Sequence, residues 1–113
     1  MKVLSLFDGI SCGMLALQRA GIPVECYDAF EIDKYAVTVS KRNFPVIVHH
    51  GNVYDGDFTQ FRGYDLLLGG SPCTYWSIAK KDREVDCNGE GFRLFKEYVR
   101  ALEESGCKYF LYE

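Results

Sequence analysis

The chain has 113 residues, 48% of them hydrophobic and 26% charged, with a formal net charge of −3. That composition describes a single globular domain able to bury roughly two-thirds of its unfolded surface, and excludes a disordered segment. Free-standing nucleic-acid modules are usually basic, so the overall charge lends that class no support, although a local basic patch would serve.

Residues 3–7 form a short apolar run with β-branched and aromatic members, read as a buried strand. Asp8-Gly9-Ile10-Ser11-Cys12-Gly13 follows as a glycine-punctuated loop, and residues 14–20 read as a helix with Met14, Leu15 and Leu17 available to the core. Gly21 stops it and Pro23 follows. Residues 24–30 are a second strand, with Glu31 at its end. Asp33 caps a helix running to about Asn43, with Tyr35, Ala36 and Val39 on one side. Phe44-Pro45 ends that helix. Residues 46–49 are a third strand, and the adjacent His49 and His50 read as strand-end residues rather than ligands. A loop over 51–57 leads through a short helical piece to a fourth strand at 65–68. Residues 74–91 are polar and without period, longer than a plain connector needs to be. Residues 92–104 form an amphipathic helix with Phe92, Phe95, Val99 and Leu102 on one face, closed by Ser105-Gly106. Residues 108–112 are a fifth strand, and Glu113 follows.

Strands alternating with helices imply right-handed βαβ units, an α/β fold and a parallel sheet. In a sheet ordered 3-2-1-4-5, strands one and four flank the switch point. Five cysteines (Cys12, Cys26, Cys73, Cys87, Cys107) with no CxxC pair fit neither a disulfide framework nor a zinc site of standard spacing. No metal is expected, and a reducing, cytoplasmic setting is. Met1-Lys2 leads directly into a strand rather than into a leader peptide, and no apolar stretch approaches the ~20 residues that cross a bilayer.

Two constellations carry chemistry. The opening loop joins a strand to a helix N-terminus, and Glu31 comes 18 residues after Gly13, where a carboxylate can take ribose hydroxyls. Either the loop is a bare strand-to-helix turn, or it holds an adenosyl cofactor. Its glycines do not follow the G-x-G-x-x-G spacing of dinucleotide binders. Asp8 would repel a phosphate but pair with an ammonium, which favours S-adenosylmethionine over NAD. The second constellation is Leu67-Leu68-Gly69-Gly70-Ser71-Pro72-Cys73 together with Glu113. Glycine permits unusual backbone angles and proline fixes its own φ, so a stiff turn presents one thiol at a strand end. Cys73 is then either a buried structural cysteine or a nucleophile. If strands four and five are neighbours, the cofactor loop, the thiol and a carboxyl able to act as an acid converge on one crevice.

These residues, in this order, resemble a known family. Phe7-Asp8-Gly9-Ile10-Ser11-Cys12-Gly13, Glu31, Gly51-Asn52-Val53, Gly69-Gly70-Ser71-Pro72-Cys73 and Tyr112-Glu113 resemble the ordered motifs of the DNA (cytosine-5) methyltransferases. The likeness is greatest to the vertebrate de novo and phage-like types, from Gly69 through Ser77-Ile78 to Gly91-Phe92-Arg93-Leu94-Phe95. The resemblance implies a Rossmann-like SAM-dependent methyltransferase fold, its parallel sheet ordered 3-2-1-4-5 and truncated before its last strands, with residues 1–113 as a partial catalytic domain. It implies that Phe7 stacks on the cofactor adenine and that Ile32 packs on it. Asp8, Gly9 and Gly13, with Ile10 beside them, shape the pocket for the methionine end, and Glu31 holds the ribose. Asn52 stands where the family commonly has an aspartate toward the adenine amino group; Val53, Gly70 and Pro72 complete the set. Cys73 would attack C6 of a flipped cytosine in DNA, and Glu113 would bond N3 and the exocyclic amine. Ser71, Ser77, Lys80, Lys81 and Arg83 would meet the nucleic acid, and Tyr75 or Trp76 could fill the emptied stack. The family's chains continue well past Glu113, so a fragment or one half of a split enzyme is expected, of bacterial or phage origin. It would be inactive alone and would associate with itself or with its complement through the strand at 108–112. The alternatives are a tRNA substrate, as in one branch of the family, a non-catalytic SAM- or partner-binding half, and an NAD-binding oxidoreductase domain.

Overall fold

Residues 1–70 and 89–113 are described by a computed structural model. Five parallel strands form one sheet in the order β3-β2-β1-β4-β5. The strands are β1 Lys2–Leu6, β2 Cys26–Phe30, β3 Val48–His49, β4 Leu66–Gly69 and β5 Tyr109–Tyr112. The helices are α1 Cys12–Arg19, α2 Lys34–Asn43 and α3 Glu90–Ser105. The parallel sheet expected from alternating strands and helices is found, in the order that the resemblance implies.

Both faces of the sheet are covered, which is why its central strands are apolar almost throughout. Val3, Tyr27 and Ala29 face one core with Met14 and Leu17 of α1 and with Ile47. Leu4, Leu6, Phe30 and Leu67 face the other, with Phe58, Phe61 and the α3 residues Leu94, Tyr98 and Ala101. The register places Phe30, Leu6, Gly69 and Tyr112 in one row across four strands. The next residues, Glu31, Phe7, Gly70 and Glu113, therefore leave the sheet along one edge.

Two helix faces differ from expectation. In α2, Tyr35 is 86% exposed and Val39 39%, while the one buried residue is Ser40. The strand that follows it, β3, is only two residues long and half-exposed, so that end of the sheet offers little apolar area to an amphipathic face. The start of α2 is as expected: the Asp33 carboxylate accepts from Tyr35 N at 2.9 Å and Ala36 N at 3.3 Å. In α3 the buried stripe is Leu94, Tyr98, Ala101 and Ser105, with Phe92, Phe95, Val99 and Leu102 only partly covered. Tyr98 decides this. Its hydroxyl donates to Leu67 O and Leu111 O at 3.1 and 3.0 Å, tying the helix to β4 and β5. Its ring lies so close to Gly69 that a Cβ there would be 2.7 Å away. Where a short helical piece was expected before β4, two 3₁₀ turns stand at Val53–Asp55 and Phe58–Phe61, capped by the side chains of Asn52 and Asp57.

Candidate active site

The loop after β1 is backbone-strained. Phe7 and Ser11 adopt left-handed φ of 57° and 70°, a region that side chains other than glycine's disfavour. Hydrogen bonds compensate. The Asp8 carboxylate accepts from Ser5 Oγ and Tyr27 OH, each at 2.7 Å, and from Ser11 Oγ. Beyond Ser11 the bonding continues through Ser40 Oγ to His49 Nε2 at 3.4 Å. Asp8, expected to face an ammonium, is turned instead to three hydroxyls and organises the loop. Burial and the Asp8 charge both push the Tyr27 phenol well above its ordinary range, so it is held as a donor.

Glu31 ties that loop to β2. Its Oε1 accepts from Gly9 N at 2.8 Å and its Oε2 from Asp33 N at 2.9 Å. Each oxygen keeps a lone pair, as ribose hydroxyls would require. Glu31 and Ile32 line a cleft of about 440 Å³ with Gly51. Ile32, 70% exposed, presents an apolar surface to that cleft. The Gly9 amide is spent on Glu31, and Asp8 stands before the α1 N-terminus where a pyrophosphate would need donors. The residues present therefore fit an adenosyl group without phosphate better than a dinucleotide.

A second cleft, of about 210 Å³, lies over the C-terminal ends of β1, β4 and β5 and is lined by Phe7, Asp8, Gly13, Gly70 and Glu113 among others. Glu113 N donates to Gly69 O at 2.9 Å. A Cβ on Gly70 would come within 3.1 Å of Glu113 O. The glycine thus lets the chain at the end of β4 pass directly beside the backbone and Cβ of Glu113. Gly13 is similarly constrained, with Leu68 Cδ1 at 2.9 Å and Tyr27 OH at 3.0 Å from a Cβ built there. Ser71, Pro72, Cys73, Ser77, Lys80, Lys81 and Arg83 lie outside the described residues, as do Tyr75 and Trp76.

Asn52 lines a third opening with Phe30 and His50. Its Oδ1 accepts from Tyr54 N at 2.9 Å, so one lone pair of the acceptor that the amide shares with an aspartate caps a turn and the other is left for a ligand. Val53 is buried in the core beside it, and Ile10 is exposed at the loop tip. The cofactor candidates are thus spread over three adjacent openings along one sheet edge, joined by the Gly9–Glu31 bond.

Sequence reasoning missed one polar cluster. His50 Nε2 lies 2.8 Å from Asp28 Oδ1, Tyr64 OH donates to Asp28 Oδ2, and the imidazole stacks on Phe30 with centroids 4.9 Å apart. Burial and the bond to Asp28 hold the Tyr64 phenol above its usual range. The signal was an aspartate inside an otherwise apolar strand, which demands a buried partner. Among the described residues, no three His, Cys, Asp or Glu side chains could hold a metal ion, and no helix is long and apolar enough to cross a membrane.

Comparison with known proteins bears on this geometry. The profile of the family described as C-5 cytosine-specific DNA methylase matches residues 1–113. The chain is 38% identical over 117 residues to the orphan methyltransferase M.SPRI of Bacillus phage SPR, covering 100% of this chain and 26% of that protein. It is 33% identical over 116 residues to the DNA (cytosine-5)-methyltransferase DRM2 of Arabidopsis thaliana, covering 91% of this chain and 18% of that one. Among solved structures, the S. pombe Dnmt2 methyltransferase matches with a TM-score of 0.63 at 18% identity, over 91% of this chain and 29% of the other; at that identity the likeness concerns the fold alone. The chain spans about a quarter of the length of M.SPRI.

Proposed function

The chain belongs to the C-5 cytosine-specific DNA methylase family, and on that premise we propose that it forms the cofactor-binding and nucleophile-bearing part of a catalytic domain acting on DNA. The family's methyl donor is S-adenosylmethionine, which supplies an electrophilic methyl group when bound. Glu31 holds the ribose hydroxyls, Ile32 and Phe7 flank the adenine, and Asp8 acts by fixing the loop that carries Gly9 and Gly13. Ile10, Asn52, Val53, Gly70 and Pro72 complete the cofactor walls.

In this reading the Cys73 thiolate adds to C6 of a flipped cytosine. Glu113 hydrogen-bonds N3 and the exocyclic amine, which draws electron density toward N3 and favours addition. C5, now nucleophilic, takes the methyl group; loss of the C5 proton then reforms the 5,6 double bond and expels the thiol. Ser71, Ser77, Lys80, Lys81 and Arg83 meet the DNA strand. The observation that carries the proposal is the shared end row of β1, β4 and β5, which brings Phe7, Gly70 and Glu113 to one cleft.

The 113 residues cover only 26% of M.SPRI, so we propose that this part has little methyl transfer activity by itself and works with the rest of a catalytic domain, in the cytoplasm of a bacterium or a phage-infected cell. The test is trapping on DNA containing 5-fluorocytosine, with that remainder present. A covalent adduct is expected and is lost in Cys73→Ala. An adduct that survives the substitution removes the nucleophile assignment, and one formed equally well on RNA removes the DNA assignment.

A further inference from the structure

The segment between β3 and β4 is held chiefly by one side chain of α3. Arg100 donates from Nη2 to Val53 O at 3.0 Å and from Nη1 to Gly56 O at 2.8 Å. Its guanidinium lies 4.5 Å over the ring of Phe58, which is fully buried. Glu97 Oε2 accepts from Arg100 Nε at 2.6 Å and so sets the direction of the fork. Glu104 completes the grip, accepting from Phe58 N at 3.1 Å while its carboxylate also meets Arg100 Nη1. An acceptor pair and a donor of one loop are thus matched by a donor fork and an acceptor of one helix. The opposite side of the same loop, at Asn52 and Gly56, forms a wall of the opening shared with Phe30 and His50.

We propose that Arg100 is a positioning residue for the cofactor cleft, fixing the loop from Asn52 to Phe58 so that Asn52 is held ready for an adenosyl ligand. The inference rests on the cofactor reading above. It requires arginine, because two carbonyls about one turn apart are spanned by a planar fork and not by the point charge of a lysine.

The test uses S-adenosylhomocysteine in titration calorimetry and amide hydrogen exchange on the chain and three variants, each with the rest of the catalytic domain supplied. Arg100→Lys is expected to unfold cooperatively, to bind about tenfold more weakly, and to exchange about tenfold faster at Tyr54 to Phe58 than the parent. Glu104→Gln, which keeps an acceptor for Phe58 N, is expected to fall between the two. Leu17→Ala opens a cavity in the other core, away from the loop; it lowers overall stability and leaves the affinity unchanged. Equal affinity in Arg100→Lys and the parent overturns this inference alone. An Arg100→Lys loss matched by Leu17→Ala also overturns it, since general destabilisation would then explain both. A parent that takes no S-adenosylhomocysteine overturns the cofactor reading and this inference together.

Discussion

Asp8 and His49 stand at two ends of one buried chain of hydrogen bonds, and each makes a prediction. Ser5, Ser11 and Tyr27 all direct hydroxyls at the Asp8 carboxylate. Asp8→Ala leaves those groups without their acceptor, at a cost of about 2–3 kcal/mol readable in urea unfolding. At the other end, the proton order runs from His49 Nε2–H through Ser40 and Ser11 to Asp8. That leaves His49 Nδ1 unprotonated and buried, without a partner among the described residues. Burial lowers the His49 pKa, aided by Lys41 and His50 and opposed by Asp8. The folded chain therefore refuses a proton that the unfolded chain accepts below about pH 6.5, so this contribution to stability is present at neutral pH and is lost on acidification. His49→Gln should flatten the change in urea midpoint between about pH 7.5 and 5.5; an unchanged slope would assign the pH dependence elsewhere.

Among the elements, α3 matters most, because it carries one core and fastens the 3₁₀ turns. Its seat on the sheet depends on one glycine. Gly69→Ala puts a methyl 2.7 Å from the Tyr98 ring, a contact with aromatic carbons that cannot give way without moving the helix. We expect a loss of roughly 1–3 kcal/mol, the usual cost of overpacking. Because Gly69 pairs with both Leu6 and Tyr112, the displacement should also reach the cleft over β1 and β5. Tyr98→Phe is the milder companion. It removes the one proton shared between two backbone carbonyls but keeps the packing, at about 1 kcal/mol. If Gly69→Ala proves no more damaging than Tyr98→Phe, then the helix seat is looser than these distances say.

At the scale of the molecule, β5 is the exposed margin. Tyr109, Phe110 and Leu111 are each more than half exposed, and β5 is paired to β4 alone among the described strands. An apolar strand edge of this kind invites pairing with another strand. We propose that it associates with the remainder of a catalytic domain or, failing that, with a second copy. Light scattering of the chain at high concentration is expected to show species above the 12.9 kDa monomer, and Phe110→Lys to shift them toward the monomer. A clean monomer throughout would remove self-association through this edge.

The residues alone were enough for the alternation of strands and helices and the parallel sheet that follows, the cap at Asp33 and the stop at Gly106. These follow from local rules: alternation dictates a parallel sheet, and glycine and aspartate mark helix ends. Which faces α2 and α3 bury, where the Asp8 carboxylate turns and what Arg100 grips were settled only by tertiary structure. Periodicity resolves a helix face to about one residue, whereas the final rotation is decided by hydroxyls and guanidinium groups finding buried carbonyls far away in sequence. Tyr98 reaches Leu67 across 31 positions and Arg100 reaches Val53 across 47; no local pattern encodes such pairs, because an unpaired buried polar group exacts its energy only once the chain has closed around it.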